Sequence, residues 1–134
     1  MEKNKFVVPY YLTVSSSGPA GEKQDSKMGV YHQSGETRNN KPIWSRHEGP
    51  EKLFYRNGKF RNIVMMISNV HNHITDGYWM IGYPETDSGG VRTVDPAGDQ
   101  WPHQVRKWNY AMVGDVWQYD PQLTVTGNIK LNIL

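Results

Sequence analysis

Glycine and proline interrupt this chain so often that no long amphipathic helix fits it. Thirteen Gly and eight Pro are spread over 134 residues. No window keeps apolar residues at i, i+3, i+4 and i+7 for three turns without one of them. The many aromatic residues, five Trp, eight Tyr and three Phe, favour strands. We therefore expect an all-β fold: a single compact domain of many short antiparallel strands, arranged as a barrel or a sandwich, with little or no helix.

Turn residues divide the chain into strand-like runs. The strongest signal is Asn57-Gly58 between two apolar runs, where we expect a hairpin because both central residues of a type I′ turn need a positive φ. Residues 15–27 resemble a polar loop, and residues 34–42 a turn. Leu12-Thr13-Val14 recurs as Leu123-Thr124-Val125. This echo suggests two neighbouring strands that close the barrel or sandwich.

One domain should occupy residues 1–134, since this length is close to the commonest domain size. Within it we expect an insertion at residues 60–75 and a short C-terminal extension at residues 127–134. Large aromatic and aliphatic side chains inside the strand-like runs should form the core. The residues expected to be mostly buried are Tyr31, Trp44, Phe54, Trp79, Ile81, Trp117 and Leu123.

Composition excludes several classes of protein. There is no cysteine, so disulfides and thiolate ligands are excluded. No apolar run approaches the ~18 residues of a membrane span, and the net charge of +2 is too small to indicate nucleic acid binding. The sequence contains no glycosylation sequon and does not start like a signal peptide. We expect a cytoplasmic protein by default, or a secreted one if a leader is missing from this chain.

Four short motifs carry a resemblance to a known group of proteins. They are Gly29-Val30-Tyr31, Pro42-Ile43-Trp44, Leu53-Phe54-Tyr55 and the run from Gly77 to Gly82. Together they resemble a Trp/Tyr-rich β module of uncharacterised and multidomain proteins of invertebrate animals and protists. The resemblance covers residues 11–125. No activity is established for that module, so the resemblance implies no catalytic residue.

The chain departs from the module at one place. In the module the third motif runs almost directly into the fourth, whereas here residues 60–75 stand between them. The inserted segment contains the apolar run 63–67, in which Met65 and Ile67 share one face of a strand. If uncovered, that face would contact a partner chain or a second copy. Alternatively, both faces are covered within the core.

The inserted segment also contains a candidate metal site. His71 and His73 are two residues apart, so they would project from the same face of a strand. A zinc site needs at least three protein ligands, and no third residue stands at a diagnostic spacing. We expect no metal site, with His71 and His73 as the alternative.

Enzyme signatures are weak. The sequence has no nucleophile elbow and no phosphate-binding glycine loop, so we expect no cofactor. Asp115 and Asp120, or Glu85 and Asp87, could form a carboxylate pair. Acidic residues beside Gly and Pro are more often turn formers, and we expect a non-enzymatic protein.

The remaining candidates lie in a polar, Pro/Gly-rich segment. It places Trp101, His103, Trp108 and Tyr110 on or beside a loop, where the rings could anchor a protein partner or stack on sugars. The alternative is that Trp101 covers its own loop. Nucleic acid is not expected, since a stacking platform needs a cationic groove and this half of the chain is net acidic. The first hypothesis is a protein-protein interaction or structural module that binds a partner or itself; the alternative is a carbohydrate-binding, lectin-like module.

Overall fold

The computed structural model describes residues 8–56, 77–114 and 116–128 and shows a nearly all-β fold. Nine strands follow in order: β1 Tyr11–Ser16, β2 Gly29–Arg38, β3 Lys41–Arg46, β4 Lys52–Arg56, β5 Tyr78–Tyr83, β6 Ser88–Thr93, β7 Trp108–Met112, β8 Val116–Tyr119 and β9 Leu123–Asn128. The longest helix in these ranges is α1, Pro19–Lys23, of five residues. The expectation of an antiparallel β fold with little helix is confirmed.

All nine strands form one curled half-barrel sheet. Strands β1 to β8 lie side by side in chain order, each antiparallel to the next. Strand β9 breaks this order because it pairs with β1 at the opposite edge. Only residues 120–122 connect β8 to β9. The sheet therefore has to curl until its two edges meet at this connection.

The repeated Leu-Thr-Val sequence lies in β1 and β9, the two strands that pair with each other. Val14 of β1 lies opposite Val125 of β9, and both side chains belong to the inner core. The prediction that the two repeats lie in neighbouring strands is confirmed. The pairing leaves β8 and β9 as the two edges of the sheet among the described strands.

Asp120 fixes the place where the edges meet. Its side chain is fully buried and accepts hydrogen bonds from the Ser16 hydroxyl at 2.7 Å and the Ala20 amide at 2.9 Å. The Gln122 amide donates to the same carboxylate at 2.8 Å. One carboxylate thus ties β1 and helix α1 to the connection between β8 and β9.

Two segments differ from the sequence-based expectation. Residues 15–27 are not a plain polar loop: β1 continues to Ser16, and α1 and a short 3₁₀ turn follow. Strand β2 extends through most of the expected turn at 34–42, with a register shift between Gln33 and Thr37. The chain reverses at Asn39-Asn40, whose φ values of 55° and 67° are those a tight two-residue hairpin requires.

The sheet buries its concave face most deeply. The inner core contains Leu12, Val14, Tyr31, Trp44, Leu53, Tyr55, Trp79, Ile81, Val91, Trp108, Tyr110, Leu123 and Val125. A smaller cluster of Ile43, Phe54 and Met80 lies on the opposite face, here called the outer face, with Trp117 packed against it. Six of the seven expected core residues are buried. Trp117 is half-buried, because β8 is an edge strand that no further strand covers.

Several expectations fall outside the described residues. The hairpin turn at Asn57-Gly58 and the insertion at 60–75 lie between β4 and β5, which pair directly with each other. Most of the expected extension at 127–134 is also outside, although Gly127 and Asn128 belong to β9. No helix in the described ranges combines the length and apolar character needed to cross a bilayer.

Candidate functional site

The aromatic segment singled out from the sequence is less exposed than expected. Trp108 begins β7 and is fully buried, and Tyr110 of the same strand is 6% exposed. Both residues lie beside the loop, as expected, but their rings are buried and do not reach the surface where they would meet a ligand. The physical reason is alternation, because positions 108 and 110 share the inner face of β7.

Trp101 and His103 remain half-buried. The Trp101 ring packs against Trp79 at a centroid distance of 6.2 Å, with the Lys41 ammonium 5.2 Å from its ring centre. This arrangement corresponds to the alternative in which Trp101 covers its own loop. His103 lies in a 3₁₀ turn that packs against β9, and burial lowers the pKa of its imidazole below the usual value. With Trp108 and Tyr110 buried, Trp101 and His103 are the members of this set that keep partly accessible rings for the carbohydrate alternative.

The other candidates from the inserted segment lie outside the described residues. They are Met65, Ile67, His71 and His73. Within the described ranges no group of three or more His, Cys, Asp or Glu side chains is placed to hold a metal ion.

Two of the four carboxylates considered for catalysis, Asp120 and Asp87, have structural roles; Asp115 lies outside the described residues. Burial raises the pKa of Asp120, but the hydrogen bonds from Ser16, Ala20 and Gln122 outweigh it and hold this pKa below its usual value. Asp120 therefore stays ionised and cannot act as a general acid. Asp87 forms ion pairs with Arg56 at 3.1 Å and with Arg38 at 3.4 Å.

A second buried carboxylate cross-links another part of the sheet. Glu51 is 5% exposed and accepts hydrogen bonds from Arg46 and from the Tyr83 hydroxyl, both at 3.1 Å. Burial alone would raise its pKa, yet these bonds and its own backbone amide hold the pKa below the usual value. Arg46 also donates to the carbonyl of Met28 at 2.8 Å. Both oxygens of Glu51 are occupied, which indicates a structural cross-link between β3 and the end of β5.

The feature best suited to a functional contact is the edge strand β8. Among the described strands it pairs only with β7, so one side of its backbone has no partner strand. Its four residues, Val116 to Tyr119, carry no charge, and Val116 and Tyr119 are 47% and 49% exposed. Natural sheets usually protect such edges with charges, prolines or covering loops. An uncharged and partly aromatic edge is a template for a further strand.

The hairpin between β7 and β8 extends this apolar surface. Val113 at its tip is 99% exposed and Met112 is 39% exposed. Beside them a cleft of about 550 Å³ separates the hairpin from the end of helix α1. It is lined by Lys23, Gln24, Ala111, Met112, Val113, Val116 and Gln118. Gln24 fixes one wall by donating from its side chain to the carbonyl of Ala111 at 2.8 Å.

The other edge of the sheet is better protected. The 3₁₀ turn Pro102–Gln104 packs against β9, and the two lie so close that a Cβ on Gly127 would come within 3.2 Å of the His103 ring. Strand β8 has no comparable cover among the described elements. Sequence reasoning overlooked this site because a run such as Val-Trp-Gln-Tyr shows strand character but not whether the strand has one neighbour or two.

The fold and this site therefore define the protein as an all-β module with an unprotected edge strand. Comparison with protein-family models finds no match for the sequence. Comparisons with curated proteins and with solved structures find no significant similarity.

Proposed function

We propose that this protein is a non-enzymatic interaction module that joins a second copy of itself by pairing the β8 edges of the two chains. The observation that carries the proposal is the uncharged β8 edge, which has no strand on one side among the described residues and exposes Val116 and Tyr119. Two-fold pairing of identical surfaces is the commonest route to a dimer. The absence of charge in β8 means that such pairing brings no like charges together.

One register suits this strand especially well. In an antiparallel pair, directly opposed residues lie on the same face. Pairing about Gln118 sets each Gln118 opposite the other, and each Trp117 opposite Tyr119 of the second copy. Two aromatic pairs form across the junction on the outer face, each contributing about 0.2–1 kcal/mol. The exposed Val116 side chains alternate with Trp117 and lie on the other face of the pair, where they and the hairpin tips add apolar surface.

A lysine on the edge tests the pairing. Tyr119→Lys places like charges on the shared edge, and Tyr119 is half exposed, so the monomer should fold normally. Thr126→Lys is the matched control, because Thr126 is exposed on the opposite edge strand. Sedimentation velocity over a concentration series should show dimers for the unmodified chain and for Thr126→Lys, and monomers for Tyr119→Lys. A chain that stays monomeric throughout, or dimers that survive Tyr119→Lys, would refute the proposal.

The register can be tested separately because the chain has no cysteine. Gln118→Cys should form an intermolecular disulfide under mild oxidation, since opposed strand residues lie about 4.5–5.5 Å apart at Cα, within the range that a disulfide spans. Thr124→Cys on β9 is the control and should remain a free thiol. Equal cross-linking of the two variants would indicate random collision and would contradict the register.

A further inference from the structure

The outer face of the sheet carries an arginine held between aromatic rings. The guanidinium carbon of Arg92 lies 4.2 Å from the ring centre of Trp117 and 5.6 Å from that of Tyr78. Arg92 belongs to β6 and Trp117 to β8, so the side chain crosses β7 to reach the indole. On β7, Asn109 lies opposite Arg92 and the small residue Ala111 lies opposite Trp117.

Arg92 has hydrogen-bond donors but no acceptor in the described structure. Its Nε atom is buried without a hydrogen-bond partner, and no carboxylate of the described residues forms an ion pair with it. Stacking on aromatic rings occupies the faces of a guanidinium and leaves its terminal Nη groups free to donate to a ligand. Burial and the nearby charge of Arg56 both lower the pKa of Arg92, which means that they destabilise its positive charge. An anion beside the guanidinium would offset this loss of free energy.

The surroundings of Arg92 are short of negative charge. Asp87 is the acidic residue that the structure pairs with arginines on this face, and it is shared by Arg38 and Arg56. Among the described residues, the ion pairs on this face thus set the single carboxylate of Asp87 against Arg38 and Arg56 and none against Arg92. The Nε of Arg38 is likewise buried without an acceptor.

We propose that the Arg92 site binds the carboxylate of an acidic ligand, such as a Glu or Asp side chain in a peptide. A carboxylate is planar and can lie in the plane of the guanidinium, accepting two parallel hydrogen bonds. Planar geometry fits a guanidinium flanked by the Trp117 and Tyr78 rings, whereas a tetrahedral phosphate is bulkier on both sides of that plane. Arg56 supplies a second positive charge nearby. This site does not depend on the pairing of β8 edges.

Arginine side-chain NMR tests the proposal directly. Titration of the ¹⁵N-labelled protein with an N-acetylated tetraglutamate peptide should shift the Nε–H resonance of Arg92 in a saturable way. Arg106 is exposed and lies between the 3₁₀ turn Pro102–Gln104 and β7, so its resonance should move little. Tetraglutamine should produce no saturable shift, and added salt should weaken the tetraglutamate effect.

Two substitutions and a parallel titration with inorganic phosphate complete the experiment. Arg92→Met keeps much of the apolar stem and should weaken binding of tetraglutamate roughly tenfold, the effect of losing one charge-assisted pair. Arg106→Met should leave it unchanged. The proposal fails if tetraglutamine shifts Arg92 as strongly as tetraglutamate, if both arginine resonances shift alike, or if inorganic phosphate binds more tightly. The comparison of tetraglutamate with tetraglutamine on the unmodified chain tests the proposal even if Arg92→Met does not fold.

Discussion

Removal of the Asp120 carboxylate should separate the two edges of the sheet. In Asp120→Ala three hydrogen bonds disappear, from the Ser16 hydroxyl and from the amides of Ala20 and Gln122. These donors are not equivalent. Gln122 is exposed and its amide can bond water instead, whereas Ala20 is fully buried and its amide would lose its acceptor.

The expected cost follows from that difference. A hydrogen bond to a charged acceptor contributes about 1.5–3 kcal/mol, and loss at the buried Ala20 amide should fall in the upper part of that range. The Ser16 hydroxyl is part-buried and can reorient, so its loss adds about 1 kcal/mol. We expect Asp120→Ala to lower the free energy of unfolding by about 3–4 kcal/mol, a large share of the stability of a domain this size.

Urea denaturation followed by tryptophan fluorescence measures this loss. Asp95→Ala is the matched control, because Asp95 is exposed and its removal should change the free energy of unfolding by less than about 0.5 kcal/mol. If Asp120→Ala loses less than about 1 kcal/mol relative to Asp95→Ala, the carboxylate does not hold the edges together and the reasoning is refuted.

The same carboxylate predicts a dependence on pH. The folded-state pKa of Asp120 lies below its usual value, so its stabilisation is present above the unfolded pKa of about 3.9 and is lost as pH falls through the folded pKa. Asp120→Asn removes this contribution and should flatten the fall in stability below about pH 4. Glu51 acts in the same direction, so some acid sensitivity should remain. An unchanged acid profile in Asp120→Asn would contradict this assignment.

Three further predictions concern the core, a close backbone contact and metal dependence. Trp79→Ala empties a fully buried site and should cost about 3–5 kcal/mol in urea denaturation; an unchanged midpoint would contradict the core assignment. Gly82→Ala would place a Cβ against the Cα of Gly89, and we expect a loss of about 1–3 kcal/mol in urea denaturation from overpacking. Exhaustive chelation should leave the melting temperature unchanged; a drop of several degrees that disappears in His71→Ala would establish the metal site that the sequence argues against.

The fold class was predictable because local signals agreed with one another. Glycine and proline spacing excluded long helices, and alternating apolar positions such as Trp79 and Ile81 identified a buried strand face. These features depend on residues close together in the chain, where composition determines backbone preference. The Leu-Thr-Val echo is the exception, since it indicated from two distant segments that β1 and β9 are neighbours.

The candidate site was not predictable in the same way. Whether a strand lies at an edge depends on pairing between distant segments, so Trp117 was expected in the core and Trp108 on or beside a loop. In the structure Trp108 is buried on the inner face of β7, whereas Trp117 is half-buried on the edge strand β8. The partners of Asp120 were equally hidden, because its hydrogen bonds to Ser16 and Ala20 join residues at least 100 positions apart.

The pairing of β1 with β9 has a consequence for how the chain folds during synthesis. Ser15 and Thr124, which meet in this pair, are separated by 109 positions, so β1 leaves the ribosome long before its second neighbour exists. Until then β1 can pair only with β2, and its other side stays open to solvent or to a chaperone. Contacts between such distant segments slow folding, because the entropy of closing a long loop is lost before the contacts form. The docking of β9 is therefore expected to be a late step, after β1 to β8 have been synthesised.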